Sequence, residues 1–130
     1  MILEKEIHFI LALDALKNVN RRNFNLDNLR RENTAEHSWQ IVVFAQILLP
    51  YAKDKSQIDL FRVIKMLSIH DVVEIEAGDT FIFDQSAMNG KYERELRAAK
   101  NTFGILDEPL RSDFLKLWIE FEAEETPDAI

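Results

Sequence analysis

The sequence predicts an all-α fold, a bundle of about five to six helices forming one domain over residues 1–130. Three observations carry that reading. Apolar residues recur every three or four positions along most of the chain. Only three Gly and three Pro interrupt it, too few for the closely spaced turns of a β-sandwich. A hydrophobic content of 47% fills one core but not two.

Ile7, Ile10, Leu11, Leu13 and Leu16 mark an amphipathic first helix running to about Lys17, with His8 read as a satisfied core histidine. The asparagine-rich stretch from Asn18 to Asn33 reads as a loop with one helical turn. Asn33 should cap a second helix, because its side chain and that of Glu36 can each satisfy a free backbone N–H. Pro50 marks where that helix ends. A third helix is expected from Gln57 to Ala77, with Gly78 closing it. Asp79 to Asn89 reads as a loop carrying Phe81 and Phe83. Lys91 to Phe103 is a charged helix stopped by Gly104. Asp107 and Pro109 open a last helix through Leu110, Phe114, Leu117, Trp118 and Phe121, and the acidic tail EFEAEETPDAI reads as a solvated end.

Composition narrows the function. A net charge of −7 argues against nucleic-acid binding, which needs a basic face to displace phosphate counterions. A small anionic ligand remains compatible if a metal or basic side chains sit locally in a pocket. There is no Cys, hence no thiolate metal site and no disulfide framework. Glu4, Lys5 and Glu6 interrupt the place where an export signal would be greasy, and the apolar run from Ile41 to Ala52 contains Gln46 and Pro50. The expectation is a cytoplasmic protein with no membrane partner.

Within the third helix, Leu60, Ile64 and Leu67 set a rhythm that continues to Asp71 and Glu74, while His70 extends the neighbouring row through Val63 and Met66. Three ionisable groups therefore fall on an inward face. A buried carboxylate without a cation costs several kcal/mol, so a positive partner is implied. It is either an arginine, with Arg31 and Arg62 as candidates for Asp71, or a divalent metal. His37, in the first turn of the second helix, could complete two imidazoles and a carboxylate, a donor set suited to Mn, Fe, Co, Ni or Zn. The plainer alternatives are that His37 bonds a backbone carbonyl and Glu36 serves only the helix cap. Spacing alone leaves metal and structural ion pair equally open.

The segments RENTAEHSW (Arg31 to Trp39) and KMLSIHDVVEIEAGDT (Lys65 to Thr80) resemble the HD-domain metal-dependent phosphohydrolases, in the branch that holds 5′-deoxynucleotidases. The likeness runs from LKNVNRR (Leu16 to Arg22) to LWIEFEAEETPDA (Leu117 to Ala129). It implies an HD-domain helical bundle that hydrolyses (deoxy)nucleoside 5′-monophosphates with one divalent metal ion, Mg being a further candidate. By motif, His37, His70 and Asp71 correspond to metal ligands, and Glu74 to the acidic residue that handles the attacking water. Asp79 corresponds to a second acid near the scissile phosphate. Arg21 or Arg22 corresponds to a basic residue at the substrate phosphate, with Arg31 as a further candidate. The family's fourth ligand is an aspartate beyond the EFE-x-x-E-T-P motif, expected past Ile130. A chain lacking that helix would be truncated relative to the family and would expose core surface, which favours a homodimer.

Overall fold

The computed structural model describes residues 3–77 and 90–130. Helix α1 (Glu4–Leu13) runs into a 3-10 turn (Asp14–Asn18), followed by strands β1 (Asn20–Phe24) and β2 (Arg31–Asn33). Next come α2 (Thr34–Leu48), short 3-10 turns at Leu49–Tyr51 and Lys55–Gln57, and α3 (Leu60–Ile69). The helices α4 (Glu74–Ala77), α5 (Lys91–Phe103) and α6 (Leu110–Ala123) complete the described elements. The expected helical bundle is therefore present, and among the described residues no helix is long and apolar enough to cross a membrane.

The core lies where α3, α5 and α6 meet. Met66 and Ile69 of α3 belong to one buried cluster with Ala98, Ala99 and Phe103 of α5 and Leu117 and Trp118 of α6. Ala98 and Ala99 carry no bulk beyond Cβ and let α5 approach closely. Phe9, Phe103 and Phe114 gather from α1, α5 and α6, with centroids 6.4 Å (Phe9–Phe103), 6.3 Å (Phe9–Phe114) and 5.7 Å (Phe103–Phe114) apart. Gly104 stops α5 as expected, for a steric reason. Its φ of −65° suits any residue, but an added Cβ would stand 2.4 Å from the Lys100 carbonyl oxygen.

Four elements differ from the sequence reading. In α1 the inward row is Phe9, Leu13 and Leu16, whereas Ile7, Ile10 and Leu11 are exposed (51%, 63% and 70%). His8 is exposed too and is not a core histidine. The stretch from Asn18 to Asn33 is not a loop but an antiparallel hairpin, pairing Asn20 with Asn33 and Phe24 with Arg31. Asn28 turns it with φ of 60°, which asparagine tolerates well. The third helix starts three residues late, where Asp59 accepts from the amides of Phe61 and Arg62 (3.1 and 3.4 Å), and it breaks after Ile69. The acidic tail is tied down: Asp128 accepts from the Asp59 amide (2.7 Å) and from Arg62 Nη1 (2.8 Å), and Arg62 also binds Glu120. Gly78, Phe81 and Phe83 lie outside the described residues.

Candidate metal centre

His70 to Val73 form the turn that separates α3 from α4. The His70 amide still donates to the Met66 carbonyl (2.9 Å) in helical fashion. Beyond it the bonds tighten to three-residue spacing, Val72 to Ile69 (3.2 Å) and Glu74 to Asp71 (2.9 Å). Val72 and Val73 plunge into the core at 3% and 1% exposure and anchor the turn. The polar pair before them is thereby held at the protein's edge. Glu74 follows, half-buried, as the first residue of α4.

His70 is oriented from both sides. Its Nδ1 lies 2.9 Å from the Leu67 carbonyl oxygen, an acceptor only, so Nδ1 carries the hydrogen and donates. Its Nε2 faces Asp71 Oδ2 at 3.1 Å. That oxygen is buried and makes no hydrogen bond of good geometry. With Nδ1–H committed, Nε2 either carries a second proton toward Asp71 or turns a lone pair to the carboxylate, where a cation between or beside them would satisfy both. Burial alone would lower the His70 imidazole, yet the Asp71 carboxylate and the Leu67 carbonyl outweigh it and raise its pKa. Burial would likewise raise Asp71, but His70 above all, then His37 and Arg21, pull it down.

The hairpin and α2 deliver the remaining groups. Asn33 and Glu36 form the expected capping box, each side chain accepting from the other's amide (2.9 and 2.7 Å). Thr34, buried, donates through Oγ1 to the Val19 carbonyl (2.9 Å) and fixes the start of α2 against the first strand. His37 thus stands one turn into α2, with its Nδ1 3.0 Å from Glu32 Oε1. Its partner is a carboxylate, where the plainer sequence reading had a backbone carbonyl. Arg21 lies between the two halves of the site, Nε 3.3 Å from Glu32 Oε1 and Nη1 3.9 Å from Asp71 Oδ2.

Neither arginine expected to pair with Asp71 does so. Arg31 is exposed, its guanidinium 5.8 Å from the centre of the Phe24 ring, and Arg62 is taken by Glu120 and Asp128. Strand alternation explains this: Arg31 points out of the hairpin, and Glu32 points in. Among the described side chains, Arg21 is the arginine at the dyad. The Arg22 side chain and Asp79 lie outside the described residues. His37 is near enough to influence Asp71, but among the described residues no three His, Asp or Glu side chains converge tightly enough to enclose a cation.

Two residues escaped the sequence reading. Glu32, 15% exposed at its side chain, bridges toward both His37 and Arg21. It stands in RENTAEHSW five positions before His37, and a period-two reading of that segment would have turned it inward. Phe121 packs tilted against His70 (centroids 4.4 Å apart), which apolar spacing along α6 could not foretell. A cleft of about 590 Å³ opens beside the hairpin, lined by Asn23, Phe24, Glu32, His37, Gln40 and Phe44 among others.

A helical bundle that sets a His–Asp dyad at a broken helix, with a second histidine and an arginine alongside, is the architecture of the HD domain. The HD domain pattern matches residues 13–130, and the chain belongs to that family. It is 26% identical over 128 residues to 5′-deoxynucleotidase HDDC2 of Danio rerio, covering 98% of this chain and 62% of the relative. It is 30% identical to a 5′-deoxynucleotidase of Erwinia tasmaniensis, covering 95% of this chain and 65% of the relative. Among solved structures, a predicted metal-dependent phosphohydrolase from Magnetospirillum magnetotacticum superposes with a TM-score of 0.85 at 44% identity. That alignment covers 98% of this chain and 64% of the other. The chain thus spans less than two thirds of each.

Proposed function

We propose that the protein is a divalent-metal-dependent phosphohydrolase that converts (deoxy)nucleoside 5′-monophosphates to nucleoside and inorganic phosphate. The observation that carries this reading is the buried, unsatisfied Asp71 Oδ2 facing His70 Nε2. In an HD-domain chain, this donor pair with His37 nearby fits a borderline divalent cation, Mn, Co, Fe, Ni or Zn, with Mg a harder alternative. His37, His70 and Asp71 would hold it. Such an ion, when bound, offsets charge on a phosphoryl oxygen and acidifies a water.

The remaining work falls to the chain. Glu74, one turn from His70, orients the attacking water and takes its proton. Arg21 or its neighbour Arg22 meets the phosphate and offsets the repulsion an acidic protein would otherwise exert; Arg21 is supported by its position at Asp71. Asp79 assists near the leaving 5′-oxygen. The cleft lined by Asn23, Gln40 and Phe44 supplies hydrogen-bonding groups and an aromatic face for the nucleoside. The same reading makes the protein a cytoplasmic homodimer, supported by the exposed apolar residues Leu3, Ile7, Ile10 and Leu11 on one side of α1. Light scattering of the purified chain tests that assembly.

Metal analysis, followed by phosphate release from a panel of deoxynucleoside monophosphates with Mn or Co, tests the function. His70→Ala and Asp71→Ala should lose metal and turnover together. A second reading, an HD module that binds metal or nucleotide without turnover, is supported by the described His, Asp and Glu side chains not converging tightly enough to enclose a cation. Metal uptake without phosphate release would decide for it.

A further inference from the structure

Among the described residues, Glu32 is the carboxylate that touches both His37 and Arg21. Its Oε1 is 3.0 Å from His37 Nδ1 and 3.3 Å from Arg21 Nε, and its side chain is 15% exposed. The three residues come from three elements, β2, α2 and β1, which meet because Asn20 pairs with Asn33 at the base of the hairpin. From that base Arg21 and Glu32 are cross-strand neighbours, close enough for opposite charges to attract. The hairpin is also tied to α2's first turn, where Arg30 grips Glu36 through both terminal guanidinium nitrogens (2.6 and 2.8 Å). Glu32 therefore sits in a frame fixed at both ends.

We infer that Glu32 is a positioning residue that sets the tautomer of His37 and the aim of Arg21. The inference rests on the metal-dependent reading of the site. An ionised carboxylate only accepts hydrogen bonds, so His37 must present Nδ1–H to it and keep a lone pair on Nε2. A ligating histidine needs that arrangement, and a carboxylate behind it also strengthens the imidazole as a donor. The same carboxylate attracts Arg21 by charge, with Nε 3.3 Å away but not in hydrogen-bond geometry, while Nη1 lies 3.9 Å from Asp71 Oδ2. One side chain thus couples the residue proposed to hold metal to the residue proposed to hold phosphate.

The test uses two variants and two readouts. Glu32→Gln keeps the shape and a carbonyl acceptor but loses the charge, while Glu32→Ala loses both. The first readout is the imidazole nitrogen chemical shifts of His37 in the metal-free protein by long-range proton–nitrogen NMR. The wild type should show the Nδ1–H form, Glu32→Gln should retain much of it, and Glu32→Ala should give a mixture of tautomers. A His37 tautomer unchanged in Glu32→Ala overturns the inference. The second readout is Mn affinity by titration calorimetry without substrate. It should weaken by about 10–100-fold in Glu32→Ala and by less in Glu32→Gln. Inorganic phosphate should weaken alongside it, because Arg21 loses its restraint. Wild-type affinity for Mn in a folded Glu32→Ala also overturns the inference. A wild-type protein that takes up no Mn sinks the metal reading instead, and the tautomer measurement still decides the role of Glu32 toward His37.

Discussion

The ring of Phe121 lies against the imidazole of His70, with centroids 4.4 Å apart and planes inclined by 34°. With Leu67 on one nitrogen and Asp71 facing the other, the tilted ring of Phe121 further restrains the imidazole. Phe121→Ala should therefore free the His70 ring as well as remove contact area. A loss of about 0.5–3 kcal/mol of stability is expected, together with weaker Mn binding. Phe121→Leu should recover more of the stability than of the metal affinity, because an aliphatic group fills volume without presenting a flat face. Urea unfolding and calorimetric titration on the two variants check this split.

Glu74 opens α4 directly after the turn that carries the His–Asp pair, and its proposed task is on the water. Glu74→Gln should bind Mn as the wild type does while phosphate release falls by about 10²–10⁴-fold. A Glu74→Gln protein that turned over at the native rate would remove the residue from the mechanism.

At the entrance to α2, Arg30 first and the Asn33 amide next hold the Glu36 carboxyl down to about 2, from 4.5. A carboxyl depressed in the folded state contributes stability that is complete above its unfolded value. That contribution fades as pH falls from about 4.5 toward 2. Wild type and Glu36→Gln should accordingly differ most above pH 5 and converge near the acid end of that window. Urea midpoints at a series of pH values measure the convergence. Salt should narrow the gap, since the pair lies at the surface.

Gly104 ends α5 where a methyl group would collide with the Lys100 carbonyl oxygen. Gly104→Ala should cost about 1–3 kcal/mol as the helix end shifts to relieve the contact. The shift should disturb Leu106 and the Arg111 side chain, which donates to the Leu106 and Gly104 carbonyls (2.8 and 3.0 Å). Thermal unfolding reads the loss, and backbone amide shifts locate it.

The helices whose boundaries were legible are those punctuated by local chemistry: Asn33 with Glu36 for α2, and Gly104 at the end of α5. Each signal acts within one turn of the chain and needs no tertiary partner. What escaped depended on contacts between distant segments. The hairpin between Val19 and Thr34 carries few β-branched residues and is held by cross-strand pairing, which single-residue propensity does not encode. The face of α1 was misassigned because two apolar rows compete on it, and packing of Phe9 with Phe103 and Phe114 chooses between them. The site followed the same division. His70, Asp71 and Glu74 stood out because they broke an apolar rhythm. Glu32 did not, because a glutamate in a polar stretch breaks nothing.

Val72 and Val73 sit side by side in the chain, both buried, in the turn that joins α3 to α4. His70 to Val73 therefore behave as a single rocker with two greasy feet and two polar hands. A change in the volume of either valine would be felt at the imidazole and carboxylate as a change of angle. The direct way to re-aim this dyad, for a different ion or a different phosphoester, is thus to edit the apolar residues behind it and leave the polar ones untouched.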